Sequence, residues 1–186
     1  MNNHKTVSES QTTMTELMIP SYSNFGGKIH GGIILSLMDK AAYACAAKHA
    51  GTYCVTASID TVDFRASVEI GEIISLLASV NYVGNSSMVV GIKVLAENIK
   101  TREIKHTNSS YFTMVAMDEQ RHIPVQVPGL ILEDEVQIQR FVAAMRRKEL
   151  NRHYREESQH LKSILQNGEL MEALKKERCI VQSKRV

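Results

Sequence analysis

One stretch constrains this chain more than any other. Residues Gly31–Ala50 are apolar almost without a break, and the apolar side chains, from Ile33 to Ala47, cover nearly every direction of a helix. A helix that is apolar all round buries most of its surface. The stretch has the length of a membrane span, but Asp39, Lys40, Lys48 and His49 interrupt it. A charge at the bilayer centre costs at least ~2.5 kcal/mol, and the many Ala add little lipophilicity. From Ile33 to about Ala50 it therefore reads as the central helix of a folded core, wrapped by whatever the rest of the chain supplies.

The rest supplies strands. Thr12–Ile19 reads as a first strand, ended by Pro20, and a Gly-rich loop over residues 21–32 leads into the helix. Val55–Phe64, Ile73–Val83, Ser86–Ala96 and Ile104–Met117 follow as four strands. Gly84-Asn85 between the second and third of these is a hairpin signal. Strands in a run after a helix argue for an α+β fold with an antiparallel sheet. Residues 118–132, with Pro124 and Pro128, form an exit loop. Residues 133–186 form a charged extension, helical in pattern from Glu133 to about Lys176, with a break near Asn167-Gly168. Residues 1–11 are short, polar and without period, and read as disordered.

Composition excludes several classes. The chain has 186 residues, 44% hydrophobic and 23% charged, which suits one domain with a core rather than a disordered protein. The net charge is +2. Residues 133–186 hold 12 of the 22 Lys and Arg and 9 of the 20 Asp and Glu, too mild an asymmetry to argue for nucleic acid. The basic side chains Arg146, Arg147, Lys148, Arg152 and Arg155 are diluted by Glu149, Glu156 and Glu157. Three cysteines, none in a C-x-x-C pair, argue against a disulfide framework or a zinc site. No His spacing suggests a metal. The N-terminal residues have no apolar run of a secretory signal, so the expected location is cytoplasmic.

Three features carry chemistry. Asp39 is a carboxylate in an apolar helix, either a functional acid or a residue solvated or paired with Lys40 or Lys48. Asn24 lies in the Gly-rich loop, where Asn is also a common turn residue. His30-Gly31-Gly32 opens the helix, where free N–H groups and the helix dipole can stabilise a developing oxyanion.

These residues also bring a family into view. The run Asn24-Phe-Gly-Gly-Lys-Ile-His30-Gly31-Gly32 through Met38-Asp39 resembles the acyl-CoA thioesterases of the brain acyl-CoA hydrolase and YciA type. So do Val55-Thr-Ala-Ser-Ile-Asp60 leading to Asp63-Phe64, Val83-Gly84-Asn85-Ser86-Ser87-Met88, and Pro124-Val-Gln-Val-Pro128. The resemblance spans residues 12–132 and implies a hot-dog fold, a long helix wrapped by a curved antiparallel sheet, with a helical C-terminal extension. It implies hydrolysis of an acyl-CoA to fatty acid and coenzyme A, with Asp39 as general base or nucleophile and Asn24 orienting water or carbonyl. His30, Gly31 and Gly32 would contact the thioester carbonyl. Coenzyme A would be held at the turn Gly84, Asn85, Ser86 and Ser87, with Arg65 a possible phosphate partner and Thr56, Ala57 and Ser58 passing beside the pantetheine arm. No cofactor beyond the substrate's own coenzyme A is implied.

The resemblance further implies sites at a dimer interface, Asn24 of one protomer facing Asp39 of the other, and a trimer of dimers. Independently, an edge strand that needs pairing argues for at least a dimer. Two other readings stay open. One is a dehydratase or hydratase of acyl thioesters using His30 and Asp39. The other is a non-catalytic acyl-CoA sensor. The charged C-terminal helix is a solvated flank or an aid to oligomer association.

Overall fold

In the computed structural model, which describes residues 3–164, 174 and 177–182, the apolar stretch is the helix expected of it. The chain runs β1 (His4–Thr6), α1 (Val7–Ser10), β2 (Thr12–Leu17), a short 3-10 turn (Pro20–Tyr22) and α2 (Gly31–Ala50). Then come β3 (Cys54–Ile59), β4 (Asp63–Phe64), β5 (Ile73–Val83), β6 (Ser87–Glu97), β7 (Ile104–Ala116), β8 (Gly129–Ile131) and α3 (Glu135–Ile164).

The main sheet has the order β2-β5-β6-β7-β3, with β4 pairing with β7, and every pairing is antiparallel. Strand side chains alternate between faces. Ile74, Leu76, Ala78 and Val80 of β5, Met88, Val90, Ile92 and Val94 of β6, and Phe112, Met114 and Ala116 of β7 therefore share one face. They form a single core with Ile34, Leu37, Met38, Ala41, Ala42, Cys45 and Ala46 of α2. The small Ala and Cys side chains let the helix lie close to the sheet. This is the hot-dog arrangement of the α+β class.

Several expectations change. The helix is not buried on most sides: its buried residues follow one stripe, while Tyr43 on the opposite side is 42% exposed. The strand expected over Val55–Phe64 breaks after Ile59 into β3 and β4. The first strand stops at Leu17, and β8 had no counterpart in the sequence pattern.

The disorder expected of residues 1–11 does not hold for the described part. Thr6 caps α1 in a capping box with Glu9, and β1 pairs in parallel with β8. Lys5 Nζ donates to the last-turn carbonyls of Lys48 and His49, at 3.2 and 2.8 Å. Ser10 is fully buried, and its hydroxyl accepts from the Val80 N–H at 3.0 Å. That N–H lies beyond the end of the β2–β5 ladder, which stops at Thr12–Ala78. Ser10 thus supplies a partner that β2 cannot.

α3 starts because Asp134 accepts the Gln137 N–H at 2.7 Å, while Gln137 Oε1 accepts the Glu133 N–H at 2.9 Å. Its first turns pack on the domain through Phe141, whose ring lies 5.0 Å from that of Tyr82, and through fully buried Ala144. The chain divides into two compact units, Met1–Ala144 and Met145–Val186. In the second unit Met145–Ile164 is helical, with exposed pairs such as Arg146–Glu149 at 3.3 Å. The break expected near Asn167-Gly168 and the helix end near Lys176 lie outside the described residues. Among the described residues, no helix is long and apolar enough to cross a membrane.

Candidate active site

Asp39 lies midway along α2 and is half-buried. Its Oδ1 accepts a 2.6 Å hydrogen bond from the Thr56 hydroxyl, which also lies 3.4 Å from Met114 Sδ. Neither lysine takes the role that a paired Asp39 required: Lys48 Nζ donates instead to the Gln11 carbonyl. Thr56 reaches Asp39 from an irregular strand. Between Thr56 and Ser58 the β3–β7 register shifts, Thr56 facing Met114 and Ser58 facing Thr113, so Ala57 is the extra residue of a β-bulge. Bulges re-aim side chains, and this one sits beside the carboxylate.

The helix start is built differently from the expectation. His30 is the N-cap of α2, and its Nδ1 accepts the Gly32 N–H at 2.9 Å. The Gly32 N–H is thus donated within the cap. Gly31 lies under an aromatic ring: a Cβ there would stand 3.0 Å from the ring of Phe64. Phe64, 55% exposed on the short β4, thus covers the helix N-terminus. Only a glycine lets the ring come so close to the backbone.

Asn24 lies in the loop that precedes this cap. Its Oδ1 accepts the N–H groups of Gly26 and Lys28 at 2.9 and 3.2 Å, and its backbone N–H donates to the Lys28 carbonyl at 2.7 Å. The loop is further held by a bridge between Ser23 and Ile29 and by the Lys28–Glu69 ion pair at 2.7 Å. That ion pair, with its hydrogen bond from Lys28, holds the Glu69 carboxyl below its ordinary range. Asn24 is exposed at the surface.

The helix start and Asp39 lie apart along α2. Asp39 follows Gly31 by eight residues of α2, about 12 Å of helix rise. The coenzyme A set divides as well. Arg65 N donates to Thr107 O near the start of β7. The turn Gly84–Ser87 lies at the other end, where Ser86 O accepts from Ala116 N and Asn85 O from Val127 N. Along β7 the two places are roughly 25–30 Å apart. Ala57 and Ser58 lie on β3 next to Thr56, with Ala57 exposed.

Neither buried cysteine suits a nucleophile. Burial pushes the Cys45 thiol up to about 12 and the Cys54 thiol up to about 11. Among the described residues no group of three His, Cys, Asp or Glu side chains sits together in the manner of a metal site.

What the sequence reasoning missed is the link from Thr56 to Asp39 and the ring of Phe64 over Gly31. The first depends on a bulge and the second on a break between strands, and neither leaves a local pattern.

Comparison with known proteins adds a family. Residues 26–103 match the model of the thioesterase superfamily. Protein VdlD of Helicobacter pylori is 44% identical over 156 residues, covering 83% of this chain and 88% of VdlD. The uncharacterized acyl-CoA thioester hydrolase YkhA of Bacillus subtilis is 33% identical over 157 residues, 84% and 91% of the two chains. An acyl-CoA hydrolase of Staphylococcus aureus, solved with butyryl coenzyme A and coenzyme A, superposes with a TM-score of 0.78. It is 33% identical and covers 87% of this chain and 98% of its own. A hexameric acyl-CoA thioesterase solved without ligand gives a TM-score of 0.78 and 38% identity, over 82% and 97% of the two chains. With this fold, the Gly-rich loop and these relatives, the chain belongs to the thioesterase superfamily, alongside the acyl-CoA thioester hydrolases.

Proposed function

We propose that this protein hydrolyses acyl-CoA thioesters, releasing a carboxylic acid and coenzyme A, with Asp39 as the reacting carboxylate. The observation that carries this reading is the 2.6 Å hydrogen bond that fixes Asp39 Oδ1 against Thr56 and leaves Oδ2 for a proton. Water adds to the thioester carbonyl as Asp39 takes its proton. The tetrahedral oxyanion is stabilised by the positive end of the α2 dipole, collapses, and breaks the C–S bond, and the thiolate leaves to be protonated. Direct attack by Asp39, forming an anhydride that water then opens, is the other route. Water is the only co-substrate, and no resident cofactor takes part.

Because the helix N-terminus and Asp39 are two turns apart, a complete site needs a second copy. Asn24 and the helix start of one protomer then face Asp39 of its partner. The Staphylococcus aureus hydrolase has also been solved as variants in which an asparagine, an aspartate and a threonine are each replaced by alanine. The spacings between those three positions, 15 and 17 residues, equal those from Asn24 to Asp39 to Thr56. The hexameric relative supports a trimer of dimers as the assembly. The dehydratase reading is disfavoured because His30 Nδ1 is held in the helix cap.

The test is thiol release from a panel of acyl-CoAs, acetyl to palmitoyl, comparing wild type with Asp39→Asn. Asn keeps the oxygen that accepts from Thr56 but cannot take a proton. Turnover should fall by a factor of about 10² or more. Near-full activity in the variant would exclude Asp39, and absence of release from every wild-type substrate would exclude the hydrolase.

A further inference from the structure

The outer face of the sheet, away from α2, holds a cavity of about 420 Å³ that the hydrolytic reaction does not use. Its floor follows from strand register. Thr13, Leu77, Lys93 and Ser109 lie side by side on β2, β5, β6 and β7, and Ser79, Gly91 and Tyr111 form the next row. Gly91 lets the side-chain amide of Asn81 lie against β6: a Cβ there would collide with it. Asn81 reaches this place because the register shifts between Val80 and Tyr82, leaving Asn81 without a partner residue on β6. Its Oδ1 accepts from the Ser79 hydroxyl at 3.0 Å, and both side chains are over nine-tenths buried. Arg140, from the first turns of α3, completes the wall.

The chemistry of this lining is one-sided. Two cations, Lys93 and Arg140, come from different elements and line the cavity together with the amide of Asn81 and the hydroxyls of Ser109 and Thr13. Among the described residues that line it, none is acidic. A cavity of this size takes a small organic molecule. Two cations with several neutral donors suit the three oxygens of a phosphate better than the two of a carboxylate. Asp39 and Thr56 lie on the core side of the same sheet, so the layer of strands separates the two places.

We infer that this cavity is a second binding site, for a small organic phosphate, held between Lys93 of β6 and Arg140 of α3. The ligand ties the start of α3 to the sheet. The site is separate from that for coenzyme A.

The test is calorimetric titration of the full-length oligomer at low salt with glycerol 3-phosphate and, in parallel, with inorganic phosphate. Wild type, Lys93→Met and Arg140→Met are compared. Both substituted side chains are exposed, so the fold should survive either change. Glycerol 3-phosphate should bind more tightly than inorganic phosphate and raise the Tm of the wild type. Each variant should weaken binding about tenfold or more, and saturating coenzyme A should leave it unchanged. The inference is overturned by absence of binding, by equal binding of the two phosphates, by variants that bind as wild type does, or by displacement with coenzyme A.

Discussion

Thr56 shows how one side chain can set the geometry of another. Its hydroxyl is the donor that fixes Asp39, and its own position depends on the extra residue Ala57. Thr56→Val keeps the shape and removes the donor. A hydrogen bond to a charged group is worth about 1.5–3 kcal/mol, so kcat should fall by about tenfold to a hundredfold with KM little changed. Steady-state kinetics would show this, and Thr56→Ser should recover most of the loss. A variant with unaltered kcat would remove Thr56 from the mechanism. Asp39 itself was legible as a carboxylate out of place in an apolar helix. Thr56 was legible only as a strand residue near the substrate arm, because nothing local announces a bulge.

At the scale of elements, the N-terminal segment is a clasp on the far end of α2. Ser10→Ala would leave the Val80 N–H buried without a partner. That should cost about 1–3 kcal/mol, measured by urea denaturation of the assembled protein. His49 adds a pH dependence. It is fully buried at the end of α2, its Nε2 lies 2.9 Å from the Pro128 carbonyl, and its Nδ1 has no partner. Burial pulls its pKa below the ordinary histidine range, against the weaker upward pull of the Pro128 carbonyl. The unfolded chain therefore binds a proton that the folded chain refuses. Stability is full above the ordinary value of about 6.5 and falls as pH drops through it. Tm measured from pH 8 to 5 should show this fall, and His49→Gln should flatten it. The order of these first residues came from contacts with β8, α2 and β5, all remote in sequence, so a short polar stretch gave no hint of it.

At the scale of the molecule, the question is which chains build one site. Asn24→Ala and Asp39→Ala proteins should each be inactive. Mixed by co-expression, half of the dimers pair one of each, and each such dimer keeps one intact site if Asn24 and Asp39 come from different protomers. The mixture should then regain about a quarter of wild-type activity, as two-fold symmetry requires. No recovery would place both residues in the same protomer's site. The two-turn separation of Gly31 from Asp39 along α2 is the reason to expect recovery.

By itself the sequence determined the class of fold and the placing of its central parts. An apolar stretch too interrupted for a membrane must be covered by protein, and strands that alternate in period two supply one apolar face to cover it. The Gly-rich loop and Asp39 were legible because each breaks the pattern around it, whereas Asn24, an ordinary turn residue by itself, stood out only through the family resemblance. Tertiary structure alone decided what each group touches. It spent the Gly32 N–H on His30, aimed Thr56 at Asp39, set Phe64 over Gly31 and parted Arg65 from the turn at Gly84. It also ordered residues expected to be loose. The physical reason is common to all of these. They depend on hydrogen bonds and van der Waals contacts between elements, whose geometry is set by register, bulges and caps rather than by any run of neighbouring residues.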